Sequence, residues 1–512
     1  MSSRGVIVRG RDLLADVSLE VDAVVVGTGA GGSIAARELA RAGLSVVALE
    51  EGGHHAAADF TQREDEMLPI LFADGGGRTT KDLAIRVLQG RGVGGSTVHN
   101  TNLCKRTPDA ILELWRQRYN VSGCSPSDMR AAFEQIEKDL SVSEIPAALR
   151  NPNNDVLHKG ALALGWKAGP LKHNRVGCQT SGFCEVGCAY DAKQNALKVV
   201  VPQAMEAGAN VYADVEVVRV NHTRGRVTGV SAVARSESGA PVAWVDVRSK
   251  IVVLAASAVG SALLAKKSGI TDPHDQIGKK LRMHPGAVVA GRFDRVMNSN
   301  YGIPQSYECT EHLDFEEGSD KRVWIVPAFA HPIGTASMLP GFGASHMKAM
   351  RSYGQLAVLT AMVHDETEGR VEVGEGERPL ITYDMTESDR RQLAKGLIAC
   401  ARLLFAGGAV EVTIPAIPPV TLTSASQLDS LSTDFVRPHG VPLTAVHPMG
   451  TMRMGDDPKT SVVSSTGEHH FVRGLFVADG SLFPTSLGGP PQISIYSFAH
   501  HLAPHAIARA KS

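Results

Sequence analysis

The 512-residue chain lacks an excess of charge of either sign: 52 Lys and Arg stand against 53 Asp and Glu, a formal net charge of -1. Such a balance offers nothing to a polyanion, so no nucleic-acid partner is expected. Long apolar runs are missing as well. No stretch is both long enough and apolar enough to cross a bilayer. The opening MSSRGVIVRGRDLLADVSLEVD scatters charges where a secretory leader would carry an uninterrupted apolar block. A cytoplasmic protein is expected, with at most a peripheral membrane contact and no transmembrane segment. Cysteine is scarce and odd in number, 7 residues spread unevenly, which argues against a disulfide framework. Internal repeats and low-complexity blocks are absent, which excludes solenoids and arrays.

What is present is an ordinary soluble-enzyme composition, 43% hydrophobic and 21% charged, at a length that suggests two to four interleaved units. Residues 22–26 (DAVVV) form a short apolar run ending in glycines. A helical pattern follows through Ser33–Ala42, then a second apolar run at Ser45–Leu49. This is a βαβ unit. Residues 111–140 read as helices, with Leu112, Leu114, Trp115, Phe133 and Ile136 as candidate buried positions. A helix, a glycine break at Gly208 and a strand at Val215–Val220 come next, then the apolar strand 250–255. Between 285 and 431, short apolar runs alternate with Pro, Gly and acidic turns, which predicts a mostly antiparallel sheet. The last 80 or so residues return to strand, glycine turn and long apolar helix. The fold class expected is α/β.

The strongest local signal is GTGAGG at 27–32. Gly27 permits a tight turn off the strand, Gly29 lets backbone approach a pyrophosphate, and Gly32 lets the helix pack on the strand. Glu50 closes the second strand 18 residues after Gly32, where a carboxylate can accept from the ribose hydroxyls of an adenosine. The motif follows a strand and opens a helix, which is its confirming context. It does not separate FAD from NAD.

A second glycine cluster bears on that choice. GRGVGGSTVHNTNLCKRTP at 90–108, VVLAASAVGSALLAKKSGI at 252–270, GKKLRMHPGAVVAGRF at 278–293, HPMGTMRMG at 447–455 and GLFVADGSLFPTSLGGPPQISI at 474–495 together resemble the glucose–methanol–choline (GMC) oxidoreductases over nearly the whole chain and in the family's order. The feel is closest to bacterial long-chain or aromatic alcohol oxidases and dehydrogenases. The resemblance implies FAD, held by a Rossmann-like domain from 19–110, 193–283 and 432–512, interleaved with a substrate domain from 111–192 and 284–431. It implies that Gly27, Gly29, Gly32 and Glu50 hold the ADP part and that Val217 touches adenine through its backbone. Arg91, Gly95, Ser96, Asn100 and Thr101 are expected to line pyrophosphate and flavin, with Asp479 and Gly480 near the ribityl chain and phosphates. In some relatives a histidine at the place of His99 bonds the flavin covalently.

The implied activity is oxidation of an alcohol, with hydride passing to flavin N5 and His447 as base; imidazole suits that task because it titrates near neutrality. One departure stands out. Where the family carries Asn or His before a proline, this chain has Pro490–Pro491, and a proline side chain neither donates, accepts nor titrates. Gln492 is the nearest amide that could stand in. The gap keeps open a lyase or other non-redox enzyme that retains FAD. Few charges cluster near the motifs, so an apolar or aromatic alcohol is expected over a sugar, with oxygen or a quinone-like carrier as electron acceptor. Cys178, Cys184 and Cys188 lack a C-x2-C pair and an evident fourth ligand, and are read as thiols rather than a metal site. Glu366 and Glu368 read as a solvated turn. Met449, Met452 and Met454 read equally as core filling or pocket wall.

Overall fold

The computed structural model describes residues 4–316 and 318–512. Its first sheet has eight strands. Val17–Val26 lies at the centre, parallel to Val46–Leu49 on one side and to the long strand Pro241–Leu254 on the other. Asn210–Ala213 and then Ile7–Arg9 continue the parallel edge. Arg226–Arg235 and Val215–Thr223 add an antiparallel ribbon on the far side, and Leu475–Val477 pairs in parallel with the end of Pro241–Leu254. A strand buried on both faces needs apolar residues at consecutive positions. Ala23, Val24, Val25, Val46, Val47, Ala48 and Leu49 are all buried accordingly.

The helix Ala30–Arg41 leaves the central strand through Gly27, whose φ of 96° suits glycine. It packs between that sheet and the C-terminal helix Gln492–Lys511. At Gly31 the approach is so close that a Cβ would stand 1.5 Å from the Ala478 carbonyl oxygen. The helices Asp109–Arg118 and Pro126–Asp139 dock on the same side; the second starts with Ser125 and Asp128 in a reciprocal cap. Trp115, wholly buried, stacks on Phe483 at 5.4 Å, meets Phe498 edge-on at 5.8 Å and donates to Thr485 Oγ1 at 2.8 Å. Of the five expected buried positions there, Leu112, Trp115, Phe133 and Ile136 are buried and Leu114 is half-buried.

The second sheet has nine strands, mostly antiparallel. Gly286–Arg292, Leu356–Val363 and Val323–Pro327 form its middle, covered by the helices Pro152–Leu164 and Glu387–Ala406. The Rossmann-like layer with an interleaved antiparallel sheet is therefore present.

The structure redraws several of the expected segment limits. Ile7–Arg9 belongs to the first sheet, although 19 was the expected start. Ile85–Val87 and Leu443–Ala445 pair with each other and, through Gly286, with the second sheet, although both lie in segments assigned to the first. The 109–139 helices pack on the first-sheet side, although most of them were assigned to the substrate domain. Sheet membership depends on which distant backbone edge a strand meets, and a short apolar run carries no record of that partner.

Candidate active site

One cavity of about 930 Å³ runs between the two sheets. At one end it is lined by Gly27–Gly31, Glu50, Gly95–Thr97, His99–Thr101, Val217, Asp479 and Gly480; at the other by His447, Pro490, Trp324, Phe329, Met338, Leu339 and Met362. It thus joins the expected dinucleotide residues to the expected base.

At the dinucleotide end the glycines do different jobs. A Cβ on Gly29 would have only Gly95 Cα within 4 Å, at 3.9 Å, so this face of the turn opens to the cavity. Gly95, at φ 54°, stands back to back with it. Gly32 does not line the cavity; its Cβ would lie 2.0 Å from the Gly27 carbonyl oxygen, so its part is helix packing. Glu50 Oε2 accepts from the Thr28 N–H at 3.0 Å and the Thr28 hydroxyl at 2.8 Å, and Oε1 from the N–H groups of Gly52 and Gly92 at 3.2 and 3.0 Å. Burial pushes this carboxyl up to about 7, against the pull of the Thr28 and Gly52 donors. Asp479 accepts from the Ser261 hydroxyl at 2.5 Å and the Ser481 N–H at 2.8 Å; burial raises it too.

The loop 96–104 is fastened from behind. Ser96 Oγ accepts from the Gly90 N–H at 2.8 Å. Lys193, buried and off the cavity, donates through Nζ to the carbonyl oxygens of Val98, Asn100 and Cys184 at 2.7, 2.5 and 2.8 Å. The Asn100 amide donates to Gln492 Oε1 at 2.8 Å, and the Thr101 hydroxyl bonds Gln305. His99 lies against Phe72 with ring centroids 4.0 Å apart and its Nε2 is buried without a partner; burial holds it neutral, down to about 3.

Two further expected site residues differ in their setting. Arg91 does not line the cavity: its guanidinium reaches the Glu51 carbonyl oxygen at 3.2 Å. Gln492 lines the cavity, but its amide is taken up within the protein. Its Nε2 donates to the Leu103 carbonyl at 2.6 Å and the Asn174 amide oxygen at 3.4 Å, while Oε1 takes the Asn100 amide, so both ends of its side chain are engaged in holding the 100–104 loop.

At the substrate end His447 has company that the sequence did not announce. His284 precedes Gly286–Arg292, His364 follows Leu356–Val363, and His447 follows Leu443–Ala445. These three strands are neighbours, with Gly286 opposite Met362 on one edge and Thr444 on the other, so the three rings gather at one end of the second sheet. His284 Nδ1 is 3.3 Å from His447 Nδ1, with the rings at 89°, and His284 Nε2 accepts from the N–H groups of Leu487 and Gly488 at 3.1 and 3.0 Å. His364 Nδ1 meets Ser486 Oγ at 2.9 Å. Burial keeps all three rings neutral: His284 and His447 well below the ordinary histidine value, His364 down to about 4. A faint signal existed, since His284 and His447 each precede a proline, but only strand pairing shows that they meet.

Two family models described as GMC oxidoreductase match residues 68–286 and 365–499. An uncharacterised GMC-type oxidoreductase of Mycobacterium tuberculosis is 35% identical over 496 residues, covering 95% of this chain and 76% of the relative. The chain belongs to the GMC oxidoreductase family. A long-chain-alcohol oxidase of Arabidopsis thaliana is 29% identical over 509 residues, covering 94% of this chain and 66% of that enzyme. Among solved structures, a formate oxidase of Aspergillus oryzae superposes with a TM-score of 0.73 at 14% identity, covering 97% and 99% of the two chains. Pyridoxine 4-oxidase from Mesorbium loti gives 0.70 at 17%, covering 94% and 98%. At those identities the likeness is one of fold.

The residues present fit the FAD that GMC membership implies. The Gly29–Gly95 cradle is open where a phosphate must approach, it stands at the N-terminus of a 12-residue helix, and an unpartnered histidine borders the next part of the cavity. The seven cysteines are free thiols. Cys178 Sγ and Cys188 Sγ accept backbone N–H groups of Thr180 and Ala192, and no group of His, Cys, Asp and Glu side chains among the described residues has the arrangement of a metal site. Glu366 pairs with Arg322 and Glu368 with Lys280 and Arg282, while Met449, Met452 and Met454 are wholly buried. No helix among the described residues is long and apolar enough to cross a membrane.

Proposed function

We propose that the protein is an FAD-dependent alcohol oxidase or dehydrogenase that converts an apolar or aromatic alcohol to its aldehyde or ketone. The observation that carries this reading is the continuity of the cavity, from the glycine turn to His447 and the apolar side chains beyond it. The alcohol oxidases among its relatives support it. Gly29, Glu50, Gly95, Ser96, Asn100, Thr101, Val217, Asp479 and Gly480 would hold FAD, and bound flavin supplies the hydride acceptor at N5. His447 meets the substrate hydroxyl and takes its proton. Trp324, Phe329, Met338, Leu339 and Met362 enclose the carbon chain and exclude water, which favours an apolar substrate by the area they cover. Electrons then pass to oxygen or to a quinone-like carrier.

The test is an anaerobic alcohol panel. Loaded protein should be yellow and should bleach with at least one apolar or aromatic alcohol. Reoxidation by oxygen or by a quinone then names the acceptor. Pro490 lines the cavity where the family's second polar residue is expected, so a non-redox reaction is the reading that survives if the flavin never bleaches.

A further inference from the structure

The bonding around His284 fixes where the protons of the histidine pair sit. His284 Nε2 accepts two backbone N–H groups, from Leu487 and Gly488. A ring nitrogen that accepts carries no proton, so the one proton of this neutral, buried ring is on Nδ1. That Nδ1 faces His447 Nδ1 at 3.3 Å. His284 is therefore the donor and His447 Nδ1 the acceptor, and the single proton of neutral His447 is left on Nε2. Among the described residues that nitrogen has no hydrogen-bond partner, and His447 lines the cavity.

We infer that His284 is a positioning residue that holds His447 in the Nε2–H tautomer, so that His447 first meets an alcohol as a hydrogen-bond donor to its oxygen. Proton acceptance at Nε2 then requires the His284 contact to open and the ring proton to move to Nδ1. The pair also resists a second proton. An imidazolium at His447 would set its Nδ1–H against that of His284, and His284 cannot turn over without opposing the Leu487 and Gly488 donors. The groups around the pair are few. Asp365 accepts from the Met283 and His284 N–H groups and the Tyr383 hydroxyl. His364 is bonded to Ser486, and Arg282 donates to the carbonyls of Asp365 and Thr367. None of these gives His447 Nδ1 an alternative acceptor. The inference rests on His447 being the residue that meets the hydroxyl, but its test does not need a substrate.

FAD-loaded protein labelled with ¹⁵N-histidine would be followed by long-range ¹H–¹⁵N correlation from acid to neutral pH, with His447→Ala and His284→Ala assigning the signals. Wild-type His447 should show a protonated Nε2 and a bare Nδ1 at neutral pH and should stay so through pH 6. In His284→Gln, whose amide oxygen reaches the place of Nε2 and so still offers an acceptor to the Leu487 and Gly488 N–H groups while nothing stands at the place of Nδ1, the tautomers should mix and the His447 midpoint should rise by about one pH unit or more. Circular dichroism and FAD content confirm that this variant is folded. A wild-type His447 with its proton on Nδ1, or an unmoved midpoint in His284→Gln, would overturn the assignment. If the tautomer is as expected but no alcohol bleaches the flavin, the proposed reaction fails and the role of His284 in setting the tautomer stands.

Discussion

The two ends of the cavity are built in opposite ways. The dinucleotide end draws on short contiguous stretches, 27–32, 50–53 and 90–101, in which glycines and backbone N–H groups do the work and one carboxylate ties the turns together. The substrate end is a meeting of strand ends that are 80 or more residues apart, carried by histidine side chains. Local backbone geometry suits a cofactor shared by a whole family, whereas side chains on separate strands can change without disturbing one another.

Substitutions can break or sharpen this contrast. The largest effect is expected at the substrate end: His447→Ala should keep FAD yet slow flavin reduction by about a hundred- to ten-thousand-fold, the span of a lost general base. Anaerobic stopped-flow with the best alcohol of the panel measures it, and reduction within a few-fold of wild type would remove His447 from the chemistry. At the other end, two neighbouring glycines should fail differently. Gly31→Ala drives a Cβ into the Ala478 carbonyl and should lower apoprotein stability by about 1–3 kcal/mol or more. Gly29→Ala meets nothing but the cavity and should leave the apoprotein melting temperature nearly unchanged while FAD affinity falls. Equal losses of stability in both would show that Gly29 packs against protein and not against a ligand.

A smaller effect concerns pH. Glu50 is raised from 4.5 to about 7 by burial, so the folded apoprotein holds a proton there that the unfolded chain has released. Its contribution to stability is complete below pH 4.5 and is lost as pH rises through 7, about 3 kcal/mol in all. Urea titrations at pH 5 and pH 8 should show this loss, and Glu50→Gln should flatten the difference. The smallest effect on chemistry is expected for Gln492→Ala. Loosening the 100–104 loop should lower stability and FAD retention, while reduction in the loaded fraction stays within a few-fold of wild type. A drop comparable to that of His447→Ala would restore Gln492 to the chemistry.

The same contrast explains what the sequence disclosed. The turn at 27–32, the acid at 50 and the alternation of strand and helix are short-range patterns whose spacing is set by backbone geometry, and each was legible. The HPMG setting singled out His447, which the fold puts on the cavity wall. His284 was in plain view within LRMHPG but had no reason to be singled out, because its partner lies 163 positions away. Nearness in sequence to the Pro490 gap singled out Gln492, but only the fold shows that its amide also holds the loop at 100–104. Cavity-lining residues of the second sheet could not be told from ordinary core, since both are apolar positions on a pleat.

Lys193 has a consequence for the loop it fastens. In a trans peptide the C=O and the following N–H point in opposite directions. With the carbonyls of Val98 and Asn100 both drawn to one ammonium, the N–H groups of His99 and Thr101 are turned the other way, toward the side on which these residues line the cavity. Neither N–H has an acceptor among the described residues. A cation that never touches the cavity thus leaves a pair of parallel dipoles, their positive ends facing inward, where an electron-rich ring edge would gain from them most.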